Sequence, residues 1–414
     1  MPQAAFAALF ILLAGMATAA DYRAGPGDYR DAVHRLQPGD RLLLAPGDYL
    51  HGLALHGLTG RAGEPIVIEA ADSAAVPRFI ARPGANTISL VDVRHLVVRH
   101  LELDGRNVPV DAVKAEGHSR FADFITLDHL YIHGHAASQQ NVGVSTKCPA
   151  LGWQIKHNRI ERVGTGMYLG DSDGSAPFVG GIVEGNRITR TLGYNLQIKH
   201  QKNRPAEQGG RHDTVIRYNI FSKYDSQPGK QARPNVLLGH GPLSGAGGED
   251  RYLLYGNLFL HNPSEALLQA EGRVAVYDNV FINGEGDAIH IQPHNDVPRD
   301  MTIFSNTVLA SGAGIRIRRA EGLPYRQHVT ANVVAADIPV QGGSISHNVT
   351  LPYRADFLRI PVSQLTGRLL ERNSPVRRLP VSLVRELAAY PDWQPPQFAG
   401  ARVPAALMQM LNAP

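Results

Sequence analysis

The sequence has one cysteine, few aromatic residues and almost no excess of charge. Its 414 residues include a single cysteine, Cys148, so no internal disulfide can form. Aromatic residues make up 7%, and 41 Lys and Arg stand against 37 Asp and Glu. A formal net charge of +4 without a basic run or an aromatic platform for bases argues against a nucleic-acid partner. We expect Cys148 to be a small buried residue.

Long apolar stretches are also lacking after the N-terminus. Residues 4–17 are apolar and end in Ala17-Thr18-Ala19, a small-residue pattern typical of a cleavage site. We therefore expect residues 1–19 to be a signal peptide and the mature chain to be secreted or periplasmic. No Lys or Arg precedes the apolar run, so a mis-assigned start or a short membrane anchor is the alternative. No later segment is long and apolar enough to span a bilayer.

Glycine and proline, by contrast, are plentiful, with 42 and 28 residues, which suits many short strands joined by turns. A strand pattern that ends in Asn recurs, and its spacings of 28, 33, 38, 22, 27 and 26 residues are typical of repeat proteins. The residues concerned are Asn158, Asn186, Asn219, Asn257, Asn279, Asn306 and Asn332. The repeat favours one long solenoid over the two or three domains that the length alone suggests.

The recurring Asn is interpreted as a structural residue. A unit of strand, Asn corner, strand, turn and short exposed strand cannot bury its apolar face unless it stacks on a copy of itself. Asn tolerates the left-handed backbone that a tight corner needs. Stacked Asn amides can also bond to one another along a ladder.

The two ends of the chain depart from the repeat. Residues 29–36 have the apolar spacing of a short amphipathic helix, and two Pro-Gly-Asp turns then bracket an apolar strand. We expect residues 20–352 to form the solenoid together with an N-terminal cap over its open end. The Pro- and Arg-rich residues 353–414 are expected to form a C-terminal cap or tail, with a helix at 381–390.

The opening of the repeat region resembles a known family. The segments that carry the resemblance are Pro38-Gly39-Asp40, Pro46-Gly47-Asp48-Tyr49 and Gly63-Glu64-Pro65-Ile66-Val67-Ile68, followed by the Asn corners. They are similar to the right-handed parallel β-helix proteins of the pectate-lyase-like superfamily, and most similar to its chondroitinase B and alginate lyase group. The resemblance, over residues 25–350, implies an all-β fold that is a right-handed parallel β-helix. In those lyases a Lys and an Arg on neighbouring coils share the roles of base and of proton donor or carboxylate clamp, and acidic residues hold Ca²⁺.

Short strands at 143–147, 166–170, 195–200, 235–239, 266–270, 288–292 and 314–318 are expected to stack into one outward face. Aligned by their inward residues, they give an outer column of Ser145, Tyr168, Gln197, Leu237, Leu268, His290 and Arg316. The next column holds Lys147, Gly170, Lys199, Gly239, Ala270, Gln292 and Arg318. The turn that follows holds Cys148, Asp171, His200, His240, Glu271, Pro293 and Arg319. We predict that Lys147 and Lys199 lie two coils apart, and His200 and His240 one coil apart.

Lys199 is the candidate catalytic residue of this face. Uronate lyases remove the proton at C5, beside a carboxylate that must be neutralised, and need a base that is unprotonated near the working pH. A Lys crowded by His and Arg has a disfavoured ammonium form, and glycines flank Lys199 in its column. We predict Lys199 as the base, with His240 or Arg211 as proton donor or carboxylate clamp. The candidate substrate-binding residues are Lys147, Tyr168, Gln197, His200, His212, His290, Arg316 and Arg318.

Asp171 and Asp173 are the candidate ligands for Ca²⁺, although an Asp-Gly turn needs no metal. Asn195 and Gln197 stand where the resemblance to the lyases would place carboxylate ligands. The sequence therefore departs from the lyase pattern at the position where calcium would be expected.

Two functions are compatible with these residues. The first is an exported lyase that cleaves an acidic, uronate-containing polysaccharide by β-elimination. The second is a non-catalytic β-helix that binds such a polysaccharide at the cell envelope. A hydrolase would need a close pair of carboxylates, for which only Asp171 and Asp173 are candidates. We expect a monomer with no nucleic-acid partner and no membrane span in the mature chain.

Overall fold

The computed structural model describes residues 19–202, 204, 209–224, 226, 233–318, 322–372, 378–396 and 398–412. Nearly all of the predicted signal peptide, and Arg319, lie outside these residues. Within them the chain winds into successive coils, and each strand pairs in parallel with the corresponding strand of the next coil. Three faces of stacked strands result, which we call the first, second and third face.

The first face is a sheet of 13 parallel strands that runs the length of the solenoid. Its strands are Asp21–Ala24, Arg41–Leu44, Ile66–Ala70, Val93–Arg99, Ala122–Asp128, Gln154–Lys156, Ile182–Glu184, Thr214–Arg217, Tyr252–Tyr255, Gly272–Tyr277, Pro298–Phe304, Gln327–Thr330 and Ser344–Ser346. Apolar and polar residues alternate along many of these strands, so one side of the sheet is buried inside the coil.

The second face follows the first after a sharp corner. Its strands are Asp48–Tyr49, Arg78–Ile80, Glu102–Asp104, Tyr131–His133, Arg159–Glu161, Arg187–Thr189, Ile220–Ser222, Leu258–Leu260, Val280–Asn283, Thr307–Ile317, Val333–Gln341 and Val349–Leu351. Thr307–Ile317 and Val333–Gln341 are long enough to continue into the third face, and their register shifts between Ala310 and Ala313.

The third face completes each coil and carries the predicted site. Its own strands are Leu53–His56, Ile88–Val91, Val113–Ala115, Val142–Thr146, Thr165–Leu169, Leu196–Ile198, Val236–Leu238, Leu268–Ala270 and Ile289–Ile291. Ala150–Leu151 and Phe178–Val179 form a separate two-stranded sheet in the turns that follow. The interior between the three faces is apolar and fully buried, with Trp153, Phe221 and Phe259 among its largest side chains. Cys148 is buried in this interior, as predicted.

An Asn ladder runs along the corner between the first and second faces. The Nδ2 of each Asn donates to the Oδ1 of the next, at 2.9 Å from Asn219 to Asn257 and 3.0 Å from Asn279 to Asn306. The ladder continues one coil beyond the predicted set, because Asn332 donates to Asn348 at 2.9 Å. The predicted bonding along the ladder is confirmed.

The predicted backbone conformation of these Asn residues is wrong. The left-handed residue is the one before each Asn, for example His157 with φ 53° and Tyr218 with φ 57°. The Asn is therefore needed for its amide and not for its backbone. Asn219 shows why, since its Nδ2 also donates to the carbonyl oxygens of Val183 and Arg217 inside the corner.

Helices occur only at the two ends of the part of the chain that is described. The N-terminal helix spans Tyr29–Val33, shorter than the predicted 29–36, and the Tyr29 ring packs edge-on against Tyr49 and Phe79. The C-terminal segment contains a 3-10 helix, Ala355–Arg359, and α-helices at Val362–Glu371, Val381–Leu387 and Ala405–Asn412.

The C-terminal segment packs against the outer sides of the later coils. Leu365 and Leu369 cover apolar residues of the second face, whereas Leu387 and Trp393 cover the first face. The helix Val362–Glu371 was not predicted from the sequence. None of the helices that the structure describes is long and apolar enough to cross a membrane.

Candidate functional site

The strand register of the third face orders its outward residues. The outer column runs Ser145, Tyr168, Gln197, Leu237, Gln269, His290 and Arg316. Gln269 therefore replaces the predicted Leu268, which is fully buried together with Ala270. Glu271 consequently belongs to the second column and not to the turn. Its backbone N–H bonds to the Leu238 carbonyl, just as that of Gly239 bonds to Ile198.

A cleft of about 290 Å³ opens on this face around Lys199. The described residues that line it are Gln139, Gln140, Val142, Thr165, Tyr168, Tyr194, Gln197, Lys199, Arg233 and His294. Three of the predicted site residues, Tyr168, Gln197 and Lys199, therefore come together in one concave site. Its polar groups are cationic, phenolic, hydroxyl, imidazole or amide groups.

Lys199 lies between two glycines whose backbones approach it closely. A Cβ on Gly170 would lie 3.2 Å from the Lys199 Cβ, and one on Gly239 only 2.3 Å from the His200 nitrogen. Close stacking of the coils therefore requires glycine at Gly239, and neither glycine places a side chain over the partly buried amine. Within the part of the chain that is described, the Lys199 side chain has no hydrogen bond or ion pair.

The pKa of Lys199 is lowered, but not by the cause that the sequence suggested. Burial of the amine lowers the pKa, while the carboxylates of Glu271 and Asp171 act in the opposite direction. The predicted crowding by His and Arg is not the source of the shift. Desolvation still increases the fraction of free amine at a given pH.

Lys147 lies two coils before Lys199 in the same column, as predicted. Its ammonium nitrogen is 3.3 Å from the centroid of the Tyr168 ring, in cation–π geometry. Burial lowers the pKa of Lys147 to about 8. The Tyr168 hydroxyl lies 3.1 Å from the Ser172 Oγ, and burial raises the pKa of Tyr168.

Arg233 is the main cleft residue that the sequence analysis missed. It comes from the insertion at 223–234, in a long interval between two ladder Asn residues, and its guanidinium carbon lies 5.6 Å from the Tyr194 ring centroid. The buried amine of Lys223 helps to position Arg233, because it donates to the Arg233 carbonyl at 2.5 Å. The insertion was the available signal, since repeat proteins often place insertions on the binding side.

The predicted histidines and Arg211 do not line the cleft. His200 and His240 lie on adjacent coils, as predicted, with ring centroids 5.4 Å apart. His240 is 5% exposed, and its Nδ1 donates to the Gly241 carbonyl at 2.6 Å. Arg211 makes a two-bond ion pair with Asp213, at 2.8 and 2.7 Å, where the chain enters the first face.

His212 also leaves the third face. It precedes the first-face strand Thr214–Arg217, and its backbone N–H donates to Asp250. Arg211 and His212 therefore lie beside the first face and away from the cleft.

Glu271 is a fully buried carboxylate that fixes the rim of the cleft. Its Oε2 accepts hydrogen bonds from the backbone N–H groups of His294, Asn295 and Asp296, at 2.8 to 2.9 Å. Its Oε1 accepts a bond from the His240 N–H at 3.3 Å. Four donors compensate for its burial, and the loop that brings His294 to the cleft depends on them.

Comparisons with known proteins identify the fold. The GH136 lacto-N-biosidase from Eubacterium ramulus is 15% identical, with a TM-score of 0.56 over 80% of this chain and 68% of that one. The catalytic unit of a GH87 alpha-1,3-glucanase from Streptomyces thermodiastaticus is 14% identical, with a TM-score of 0.50 over 81% and 69%. A point mutant of the PL6 family alginate lyase AlyGC is 13% identical, with a TM-score of 0.50 over 80% and 51%.

The chain has a parallel β-helix fold, which it shares with these three proteins. The fold class expected from the resemblance is therefore confirmed. No family model matches the sequence, and no curated protein matches it either. At such low identity the similarity concerns the fold alone, so the chemistry has to be argued from the cleft.

The resemblance implied calcium, and the aspartates of this β-helix do not fit it. Asp171 accepts bonds from Ser175 Oγ and the Ala176 N–H, and Asp173 from the Ser175 N–H and Lys202 Nζ. Ca²⁺ needs six to eight oxygen ligands. The oxygens of Asp171 and Asp173 are instead engaged within their own turn and by Lys202, so no catalytic step is assigned to a metal.

The remaining predicted residues form a separate cluster farther along the third face of the β-helix. His290 Nε2 lies 2.7 Å from an Asp287 oxygen, and Arg316 Nη1 lies 3.7 Å from the same oxygen. Arg316 Nε also donates to the Gln341 Oε1. Arg318 is exposed beside this cluster. These residues share the face with Lys199 but not its cleft.

Proposed function

We propose that the β-helix binds a uronate-containing polysaccharide in the Lys199 cleft and cleaves it by β-elimination. The observation that carries this proposal is the lining of the cleft. It combines a desolvated lysine and an arginine with phenol and amide groups, and none of the described residues that line it is a carboxylate. Such a lining attracts a polyanion and contains a base.

Lys199 is assigned as the base. In β-elimination the C5 proton moves to the base, C4 and C5 become doubly bonded, and the bond from C4 to the bridging oxygen breaks. The base has to be unprotonated when the sugar binds. Burial lowers the pKa of Lys199 and so favours the free amine, and the glycines at 170 and 239 leave it open to a chain lying across the coils.

Arg233 is assigned to the sugar carboxylate, in place of the predicted Arg211. Negative charge develops on the carboxylate as C5 loses its proton, so a fixed cation there stabilises the transition state. A guanidinium offers two parallel N–H donors that match a carboxylate. Arg233 lines the cleft, whereas Arg211 is paired with Asp213 outside it.

Tyr168 is assigned to the departing oxygen, in place of the predicted His240. The bridging oxygen takes up a proton as its bond to C4 breaks. A phenol that is protonated when the sugar binds can supply that proton. Burial raises the pKa of Tyr168, so its hydroxyl keeps the proton at neutral pH. Gln139 and Gln197 offer amide groups for the sugar hydroxyls.

Hydrolysis is the less favoured reaction for this cleft. Glycoside hydrolysis generally uses two carboxyl groups that flank the scissile bond, one of them protonated. The described lining residues supply none, while Asp171 accepts a bond within its own turn and Asp173 pairs with Lys202. The glycoside hydrolases that share the fold therefore do not decide the reaction of this chain.

The test is incubation of the mature protein with alginate, polygalacturonate, chondroitin and heparin-type chains, with the ultraviolet absorbance of the unsaturated product followed over time. We expect a rise in absorbance with one of these polymers. No rise with any of them, together with measurable binding, would support the non-catalytic alternative. A polymeric substrate of this class requires an exported protein, so a secreted or periplasmic location is part of the proposal.

A further inference from the structure

A cluster of imidazoles lies on the corner between the first and second faces, away from the third-face strands that carry Lys199. The rings of His100 and His129 are 5.0 Å apart between centroids, and those of His129 and His157 are also 5.0 Å apart. These three residues come from successive coils. The Asp128 carboxylate lies beside them, with its Oδ1 at 2.9 Å from the Nδ1 of both His129 and His157.

The backbone conformation fixes the points from which these imidazole side chains project. His100, His129 and His157 all have left-handed backbones, with φ of 55°, 53° and 53°. This conformation favours Gly or Asn, and the next coil indeed has Gly185 at the equivalent corner, directly beneath the His157 ring. The corner therefore projects the rings from defined points, one coil apart.

The geometry points to a divalent transition-metal site formed by Asp128, His129 and His157. One carboxylate oxygen and one ring nitrogen from each of the two histidines all lie within 4.8 Å of one another. In a tetrahedral Zn²⁺ site, metal–ligand bonds of 2.0–2.1 Å place ligand atoms about 3.3 Å apart. Small rotations of the two half-exposed rings reach that spacing, and solvent supplies the fourth ligand.

The ligand set indicates which ions bind. Imidazole with one carboxylate suits Zn²⁺, Cu²⁺, Ni²⁺ and Co²⁺, whereas Ca²⁺ and Mg²⁺ prefer oxygen ligands alone. The side chains of His129 and His157 are 51% and 46% exposed, so an ion reaches them without a conformational change. A bound ion would tie two successive coils together at their corner.

The experiment is a titration of untagged, chelator-treated protein with ZnCl₂ by calorimetry and with CoCl₂ by visible absorption. The variants are Asp128→Asn, His129→Asn and His157→Asn, because Asn tolerates the left-handed corner. The matched control is His347→Asn. His347 has the same corner conformation, with φ 54°, but Ser346 stands where Asp128 stands beside His129.

We expect one equivalent of metal per chain, with the absorption bands of Co²⁺ in a nitrogen and oxygen site. Each of the three variants should weaken binding by at least about tenfold, and His347→Asn should not change it. Absence of stoichiometric uptake by the unmodified protein would overturn the inference. So would equal affinity in folded variants at positions 128, 129 and 157.

Discussion

The ammonium nitrogen of Lys147 lies 3.3 Å from the centroid of the Tyr168 ring on the next coil of the third face. The ring face attracts the cation, while burial disfavours it. This pair links Lys147 to the Lys199 cleft, because Tyr168 also lines that cleft. The balance of the two effects can be measured as a dependence of stability on pH.

Replacing Lys147 with Met should remove a pH-dependent part of the stability. Burial lowers the pKa of Lys147 from 10.5 to about 8, so between these values the unfolded chain binds more protons than the folded one. The free energy of unfolding should therefore rise with pH across this window in the unmodified protein, by about 1–3 kcal/mol relative to Lys147→Met. Urea denaturation of both proteins at about pH 7 and about pH 10 measures this difference in the free energy of unfolding. Parallel pH profiles would show that Lys147 has an ordinary pKa.

Replacing Tyr168 with Leu should lower the pKa of Lys147 below about 8. The substitution keeps an apolar neighbour but removes the ring face that favours the ammonium. The pH window over which stability rises should therefore start at a lower pH than in the unmodified protein. A window that does not move, or moves upward, would show that the ring contributes nothing to the charge on Lys147.

Replacing Arg233 with Ala should impair catalysis, whereas replacing Arg211 with Ala should not. Arg233 lines the cleft, and Arg211 is paired with Asp213 at the first face. Loss of a carboxylate-binding cation from the transition state should lower kcat/KM by about 100-fold. Initial rates on the cleaved polymer measure both variants. The reverse ranking would restore the original assignment of Arg211.

Replacing Asn219 with Ala should destabilise the solenoid more than the same change at Asn348. Asn219 is fully buried. Without its side-chain amide, the backbone N–H and the Nδ2 of Asn186 lose their acceptor, and the Val183 carbonyl loses a donor. Asn348 is the last member of the ladder and is half-buried. We expect a loss of about 3 kcal/mol or more at position 219 and about 1 kcal/mol at position 348. If the urea midpoints of the Asn219→Ala and Asn348→Ala variants fall by the same amount, the greater contribution of the buried ladder positions to stability would be contradicted.

The strand pattern predicted the fold and the neighbourhood of Lys199. Asn corners at solenoid spacing and a two-residue alternation determined which residues face outward, so Lys147, Tyr168, Gln197 and Lys199 were placed correctly on one face. The error at Leu268 has a simple cause. Residues 266–268 and 270 are all apolar, so alternation could not distinguish the inward from the outward positions there.

The residues that were missed come from irregular segments. Arg233 and His294 belong to loops without a repeat, so no register argument applied to them. The strand alignment places glycines beside Lys199, but it does not reveal that a Cβ at Gly239 would lie 2.3 Å from the His200 nitrogen. His240 was expected in the open groove. It is buried because its backbone and ring bond to Glu271 and Gly241, contacts that its position in the turn did not reveal.

The most direct test is the rate of unsaturated-product formation by the Lys199→Ala variant on the polymer that the unmodified protein cleaves. Lys202→Ala is the matched control, since Lys202 lies three residues later and is exposed and paired with Asp173. We expect Lys199→Ala to lose at least about 100-fold in kcat and to keep its circular dichroism spectrum, while Lys202→Ala keeps its rate. A folded Lys199→Ala variant that turns over at the unmodified rate would contradict the assignment of the base.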